Sequence, residues 1–257
     1  MPELPEVETL CRQLRPVIVG RAILGLRVLD AKLGRVPPLE GRAVRSIGRH
    51  GKRMVWTLSD GQCLVFQLRM TGRLFWIEGD GMPPHARLEL LFAAGRIVLS
   101  DPRRFATVAL CSDPGLGPAP DGLDALDPKR LADDARRRRL PVKAFLMDQK
   151  AVAGIGNIYA SEILHRAGVD PTRPACGLLP AEWKKIASAS ARILRQAVQL
   201  RGTSISDWRD LHAGPGEYQH HLRVYGRQGE RCRACGGGIR RVVIAGRSTF
   251  YCPMCQK

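Results

Sequence analysis

The sequence predicts an α+β, multi-domain protein: an N-terminal antiparallel β-sandwich with a flanking helix, then a helical domain, then a closing β-hairpin. Three observations predict it. Short β-rich runs punctuated by glycine-bearing turns fill residues 20–112. Past residue 122 the apolar residues recur at helical spacing. Near the end, two Cys-x2-Cys pairs, Cys232/Cys235 and Cys252/Cys255, bracket a further β-rich stretch. The expected divisions are 1–122, 123–222 and 223–257.

The flanking helix comes first. Pro2 and Pro5 suit a helix start, and Glu3, Glu6 and Glu8 suit its positive end. Val7, Leu10, Cys11 and Leu14 fall on one face. Strands are expected over 53–58, 63–68, 88–92 and 96–99, with hairpin turns at 59–62 and 93–95. Residues 112–122 hold too much proline and glycine for an element interior and mark a boundary. A helix is predicted over 127–139, ending in Arg136-Arg137-Arg138-Arg139, either a solvated face or one that tracks phosphates. Trp183, Ile186, Ala187, Ser190, Ile193, Leu194, Ala197 and Leu200 mark a core helix stopped at Gly202. Val242-Val243-Ile244 and Thr249-Phe250-Tyr251 predict a hairpin around Ala245-Gly246-Arg247.

The chain has 257 residues, 44% of them hydrophobic, ample for a buried core. Its charge is less ordinary: 41 Lys+Arg against 24 Asp+Glu give +17. Such a field attracts a polyanion, nucleic acid first and an anionic membrane surface second. No apolar run approaches the roughly 18–20 residues that span a bilayer. The early carboxylates contradict the basic start of a signal peptide, so a soluble cytoplasmic protein is expected.

Cys11, Cys63, Cys111 and Cys176 lack ligand spacing and read as small buried hydrophobes. Cys232, Cys235, Cys252 and Cys255 have the spacing of a tetrahedral four-thiolate zinc site, structural because four protein ligands leave no open position. A disulfide pair fits a reducing cytosol poorly. At the other end, removal of Met1 would leave Pro2 as a free secondary amine. An α-amino group titrates at about 7.7–8.0, so much of it is unprotonated and nucleophilic near neutrality. Its adduct with a sugar carbon is an iminium with no second N–H to lose, a lasting cation that draws electrons from neighbouring C–O bonds.

Four further motifs join these. Gly51-Lys52 sets a cation just before a strand. Gln67-Leu68-Arg69-Met70-Thr71-Gly72 ends a strand with an exposed-looking methionine. Ser100-Asp101-Pro102-Arg103-Arg104-Phe105 is a turn presenting two arginines and an aromatic. Ala153-Gly154-Ile155-Gly156-Asn157-Ile158-Tyr159-Ala160-Ser161-Glu162 is a glycine-rich loop opening a helix, with Asn157 as its N-cap and backbone N–H groups suited to a phosphate. Singly, each also reads as a surface charge, a core filler or an ordinary turn.

Together, in this order and from one end of the chain to the other, the motifs closely resemble bacterial formamidopyrimidine-DNA glycosylases. The resemblance implies a helix–two-turn–helix module in the helical part and a zinc finger in the hairpin. It implies that Pro2 is the Schiff-base nucleophile at C1′, Glu3 the acid/base and Lys52 the proton donor for β-elimination. Arg247 would grip phosphate and assist δ-elimination. Met70, Arg103 and Phe105 would fill the gap left by an extruded base, with Arg103 addressing the orphaned cytosine. His85, Lys143 and Asn157 would contact the DNA backbone. The implied activity is a bifunctional DNA glycosylase/AP lyase of base-excision repair, acting on oxidised purines in damaged double-stranded DNA. It would work in the cytosol as a monomer, with one Zn2+ on four cysteines and no organic cofactor or membrane partner.

Two departures stand out. Gln67 replaces the usual histidine before Leu-Arg-Met-Thr-Gly, and the loop from Leu211 to Tyr218 lacks the lysine many relatives carry beside its proline. That loop closes over the flipped purine in the family, so the departure bears on substrate choice. The rival readings are an endonuclease VIII-type enzyme for oxidised pyrimidines and a non-catalytic zinc-dependent lesion-binding protein. The continuation Leu4-Pro5 and the Arg103/Phe105 turn argue against the first; Pro2, Glu3 and Lys52 together argue against the second.

Overall fold

The structure, a computed structural model, describes residues 2–257; Met1, on whose removal the Pro2 amine depends, lies outside them. The chain folds into two compact units. Met1–Leu116 and Val198–Gln219 make the first, and Gly117–Ala197 and His220–Lys257 make the second.

The first unit opens with helix α1 (Leu4–Ile18). Proline in its first turn fits the helix without losing a needed N–H. Val7, Leu10, Cys11, Leu14 and Ile18 are all buried, the spacing of one continuous face. Eight strands follow: β1 (Gly25–Val28), β2 (Val44–His50), β3 (Arg53–Leu58), β4 (Cys63–Gln67), β5 (Arg73–Ile77), β6 (Ala86–Phe92), β7 (Gly95–Ser100) and β8 (Thr107–Cys111). They form two antiparallel sheets, ordered β1-β6-β7-β5 and β2-β3-β4-β8. The expected sandwich is therefore present. Leu74, Leu88, Leu90, Ile97 and Leu99 of one sheet share a core with Met54, Trp56, Leu58, Leu64 and Phe66 of the other and with the buried face of α1. Trp56 and Phe66 lie with ring centroids 4.8 Å apart. Val55, Cys63 and Val65 are buried too, in a small cluster with Cys111. Burial on both faces explains why β3 and β4 read as apolar runs rather than clean alternation.

Residues 198–219, inside the stretch read from the sequence as 123–222, belong to this first unit. Trp208 and Leu211 complete its core. The Glu6 carboxylate accepts the Glu3 N–H at 2.7 Å and the Thr203 N–H at 2.8 Å. Gln13 receives the Leu211 N–H at 3.0 Å and donates to Asp210, also at 3.0 Å.

The second unit contains α2 (Pro128–Ala135), α3 (Val142–Met147), α4 (Asn157–Ala167) and most of α5 (Pro180–Gln199), then the hairpin β9 (Arg240–Ile244) and β10 (Arg247–Tyr251). Phe145 meets Trp183 edge-on at 5.4 Å in its core. Three sequence expectations need correction here. Helix α2 ends at Ala135, so Arg136–139 lie beyond it. Like charges crowd there, and Pro141 disfavours helix at the residue before it. Arg138 instead pairs with Asp148 at 2.6 Å and lies over the Phe145 ring. The N-cap of α4 is Gly156, and Asn157 is its first helical residue, because the Asn157 side chain is engaged by Lys143. Cys176 is exposed rather than buried, on a surface turn.

Replacing Glu6 with leucine would strand two buried N–H groups, each costing about 1–3 kcal/mol. Glu6→Leu is therefore expected to lower the unfolding free energy by about 2–4 kcal/mol, measurable by urea denaturation.

Candidate active site and zinc centre

In the first unit, Pro2 and Glu3 are buried at the start of α1. Glu3 is the N-cap, and its side chain accepts the Glu6 N–H while Glu6 receives the Glu3 N–H. This reciprocal capping box fixes the backbone on which the proposed nucleophile sits. Lys52 lies in the tight turn between β2 and β3, where Gly51 adopts φ +58°. Arg49 links this turn to the helix: it donates to Glu8 at 3.1 Å and to the Gly51 carbonyl at 2.9 Å. Glu8 also pairs with Arg12 at 2.8 Å. Burial, reinforced by the Glu8 charge, pushes the neighbouring Cys11 thiol up to about 12. That thiol stays protonated and is no rival nucleophile.

The same unit carries Met70, His85, Arg103 and Phe105 on three turns. Met70 is half-buried in the turn after β4, where Arg69 adopts φ +55°. His85 is exposed just before β6. Phe105 is 46% exposed, large for an aromatic, and the Arg103 guanidinium lies 5.0 Å from its ring centroid. Beneath them sits a residue whose role sequence reasoning missed. Asp101 is fully buried and accepts from Thr71 Oγ1 at 2.5 Å and from the backbone N–H groups of Arg103, Phe105 and Ala106. Burial alone would raise its pKa, but the Ala106 N–H, the Thr71 hydroxyl and the Phe105 N–H outweigh it and hold the carboxyl below the usual range. Asp30 is likewise held well below the usual carboxylate range, chiefly by its hydrogen bonds from Arg104, against the opposing effect of burial and with help from Arg87.

In the second unit, Lys143 is fully buried. Its ammonium donates to Asn157 Oδ1 at 2.5 Å, Thr249 Oγ1 at 2.7 Å and the Ser248 carbonyl at 3.2 Å. It thereby binds the start of α4 to β10, one residue from the exposed Arg247. Two-residue tightness in the hairpin comes from Ala245 and Gly246, at φ +48° and +70°, the pattern of a type I′ turn. Glu162, midway along α4, accepts the N–H groups of Arg223, Val224 and Tyr225 and so anchors the chain entering the hairpin.

The four cysteines converge, all their Sγ atoms lying within 4.8 Å of one another. Cys235–Cys252 and Cys232–Cys255 are 3.4 and 3.8 Å apart. Four sulfurs at about 2.3 Å from a tetrahedral zinc would be about 3.8 Å apart, so the set fits one structural Zn2+. His165 Nε2 lies 3.5 Å from Cys232 Sγ. Toward a metal-bound thiolate, only the ring N–H can donate.

Three family models match the chain. The formamidopyrimidine-DNA glycosylase N-terminal domain matches residues 1–108, the formamidopyrimidine-DNA glycosylase H2TH domain residues 116–208, and a zinc finger found in FPG and IleRS residues 229–257. Sandwich, H2TH helices and four-cysteine hairpin thus define a zinc-finger DNA repair glycosylase. The chain is 39% identical to the formamidopyrimidine-DNA glycosylase of Chloroflexus aggregans, covering 100% of this chain and 98% of the relative. It is also 39% identical to that of Alkalilimnicola ehrlichii, covering 100% of both. A mutant Lactococcus lactis Fpg solved with Fapy-dG-containing DNA superposes with a TM-score of 0.92 at 32% identity, covering 100% of both chains. Wild-type L. lactis Fpg with oxidised-pyrimidine DNA gives a TM-score of 0.90, also at 32% identity and 100% coverage of both. The chain belongs to the formamidopyrimidine-DNA glycosylase family. Among the described residues, no helix is long and apolar enough to cross a membrane.

Two outcomes follow from this geometry. Chelation of zinc should release amide-exchange protection at β9 and β10 while β3 and β4 keep theirs, read by hydrogen–deuterium exchange. Because Asp30 has a depressed pKa in the folded state, the unfolded chain binds more protons in the acid range. Its contribution is present above about pH 4 and is lost as pH falls through the folded value. Stability should therefore fall less steeply between about pH 4 and 2 in Asp30→Asn than in the parent, by urea midpoint.

Proposed function

We infer that this glycosylase is bifunctional, excising oxidised purines (8-oxoguanine and formamidopyrimidines) from duplex DNA and then cutting the strand as an AP lyase. The observation that carries the reading is the buried Pro2-Glu3 pair, held by its capping box at the first turn of α1. Once Met1 is gone, the Pro2 nitrogen attacks C1′, and the base departs with the glycosidic electron pair. Glu3 supplies the proton that assists ring opening. The resulting iminium acidifies C2′–H; loss of that proton expels the 3′ phosphate, and a second elimination expels the 5′ phosphate. Lys52 and Arg247 donate protons to the two departures. A flipped nucleotide is needed because C1′ is shielded within the stack, at a cost of a few kcal/mol. Met70, Phe105 and Arg103 offset that cost by filling the gap and addressing the orphaned base.

The exposure of Phe105 and the stacked Arg103 supports that role. His85 and Asn157 would meet phosphates directly. Lys143, fully buried on Asn157 and Thr249, would act on the same phosphate through the residues it orients. The +17 charge supports a duplex partner. We read the enzyme as a monomer of the bacterial cytosol.

Borohydride trapping tests the chemistry. A covalent adduct with 8-oxoguanine duplex, mapped to Pro2, is the expected result. A pyrimidine-only adduct would select the endonuclease VIII-type reading, and salt-sensitive binding without an adduct the lesion binder. Glu3→Gln is expected to slow base excision by about 10²–10⁴-fold while leaving affinity for an abasic-analogue duplex within about twofold; loss of both would make Glu3 structural.

A further inference from the structure

Met70 and the Arg103–Phe105 pair stand at the ends of strands in different sheets. Met70 follows β4, and the pair follows β7. The ladder between β4 and β8 ends at Gln67 and Thr107, so no strand pairing holds the two turns beyond that point. If three side chains are to occupy one gap in a duplex, their spacing must be kept to about 0.5 Å by surrounding contacts.

One carboxylate provides such contacts to both turns. Asp101 Oδ1 takes the Thr71 hydroxyl at 2.5 Å, next to Met70, and the Arg103 N–H at 3.2 Å. Its Oδ2 takes the Phe105 and Ala106 N–H groups, each at 2.7 Å. The turns also touch directly: a Cβ added at Gly72 would lie 3.1 Å from Ala106 Cβ and 2.5 Å from the Leu68 carbonyl. Arg87, only 2% exposed, braces the assembly from below. It donates to the Ala106 carbonyl at 2.8 Å and to Asp30 at 2.7 Å, and reaches Asp101 at 3.4 Å. Asp30 in turn holds Arg104 through Nε at 2.9 Å and through Nη2. The two adjacent arginines are thereby separated in role. Arg104 is tethered to Asp30, whereas Arg103 has no ion-pair partner among the described residues and lies over Phe105.

We propose that Asp101 is a positioning residue which, through the Thr71 hydroxyl, locks the Met70 turn to the Arg103–Phe105 turn, so that the three side chains enter the duplex as one rigid unit. Arg87 and Asp30 form its second tether. The inference rests on the insertion role given to these side chains above.

The test is a set of double-mutant cycles in the full-length, zinc-loaded protein, read as single-turnover excision of 8-oxoguanine. Met70→Ala, Phe105→Ala and their combination are measured with and without Thr71→Val. With Thr71 present, the double variant should lose about tenfold less than the product of the two single losses, since either truncation already spoils the shared unit. With Thr71→Val the losses should multiply, and Thr71→Ser, which keeps the hydroxyl, should restore the coupling. Equal coupling with and without the hydroxyl, or none in either, would overturn the proposal while leaving insertion intact. If neither single truncation slows excision, the insertion reading itself fails and the proposal falls with it. Should Thr71→Val not fold, the same cycle with Asp101→Asn decides the question by the same criteria.

Discussion

Glu6 engages both carboxylate oxygens with backbone N–H groups, those of Glu3 and Thr203, and this fixes the start of α1, where the proposed nucleophile lies. A terminal amine is a usable nucleophile only if its position is defined, and chain termini are ordinarily the least ordered part of a domain. Here the terminus is drawn into the sandwich by the apolar face of α1 and locked by a capping box. Arg49 extends the constraint to the Lys52 turn through Glu8 and the Gly51 carbonyl. The proposed nucleophile, acid/base and elimination donor therefore all depend on one helix end and its buried carboxylates.

The basic character of the chain is less uniform than its total suggests. Arg12, Arg49, Arg87, Arg104, Arg138, Arg173 and Arg201 are each committed to a carboxylate. They shape loops and helices more than they present charge. The exposed Arg247 at the hairpin and Arg103 over Phe105 are of another kind, carried on rigid turns whose geometry other residues supply. Lys143 presents no charge either: it is a buried cation that holds Asn157 and the strand beside Arg247. Counting basic residues identifies the partner as a polyanion but does not say which side chains meet it.

Much of the architecture was legible because its signals are local. Strand runs, the face of α1, the Pro/Gly break and the cysteine spacing each lie within a short window, and each is present. The errors arose where a distant partner overrode a local preference. Asn157 looked like an N-cap, but Lys143 takes its side chain. Arg136–139 looked like the end of a helix, but Asp148 and Phe145 draw Arg138 away. Residues 198–219 lie next in sequence to the helical stretch, yet Trp208 and Leu211 pack into the sandwich core. The Asp101 network was invisible for the same reason: Thr71 lies 30 positions from Asp101, and Asp30 lies 74 from Arg104. Asp-Pro in a turn carries no mark of the hydroxyl that will reach it.

The discontinuous first unit also bears on how the protein is made. Its β-sandwich is translated early, but the segment bearing Trp208 and Leu211, and the Thr203 N–H that Glu6 receives, emerge from the ribosome only after the intervening helices. Synthesis at about 5–20 residues per second leaves the nascent sandwich several seconds without these contacts. A half-finished chain therefore lacks the braces on the start of α1: the Thr203 contact to Glu6 and the packing of Trp208 and Leu211 can form only once the helices of the second unit have been made.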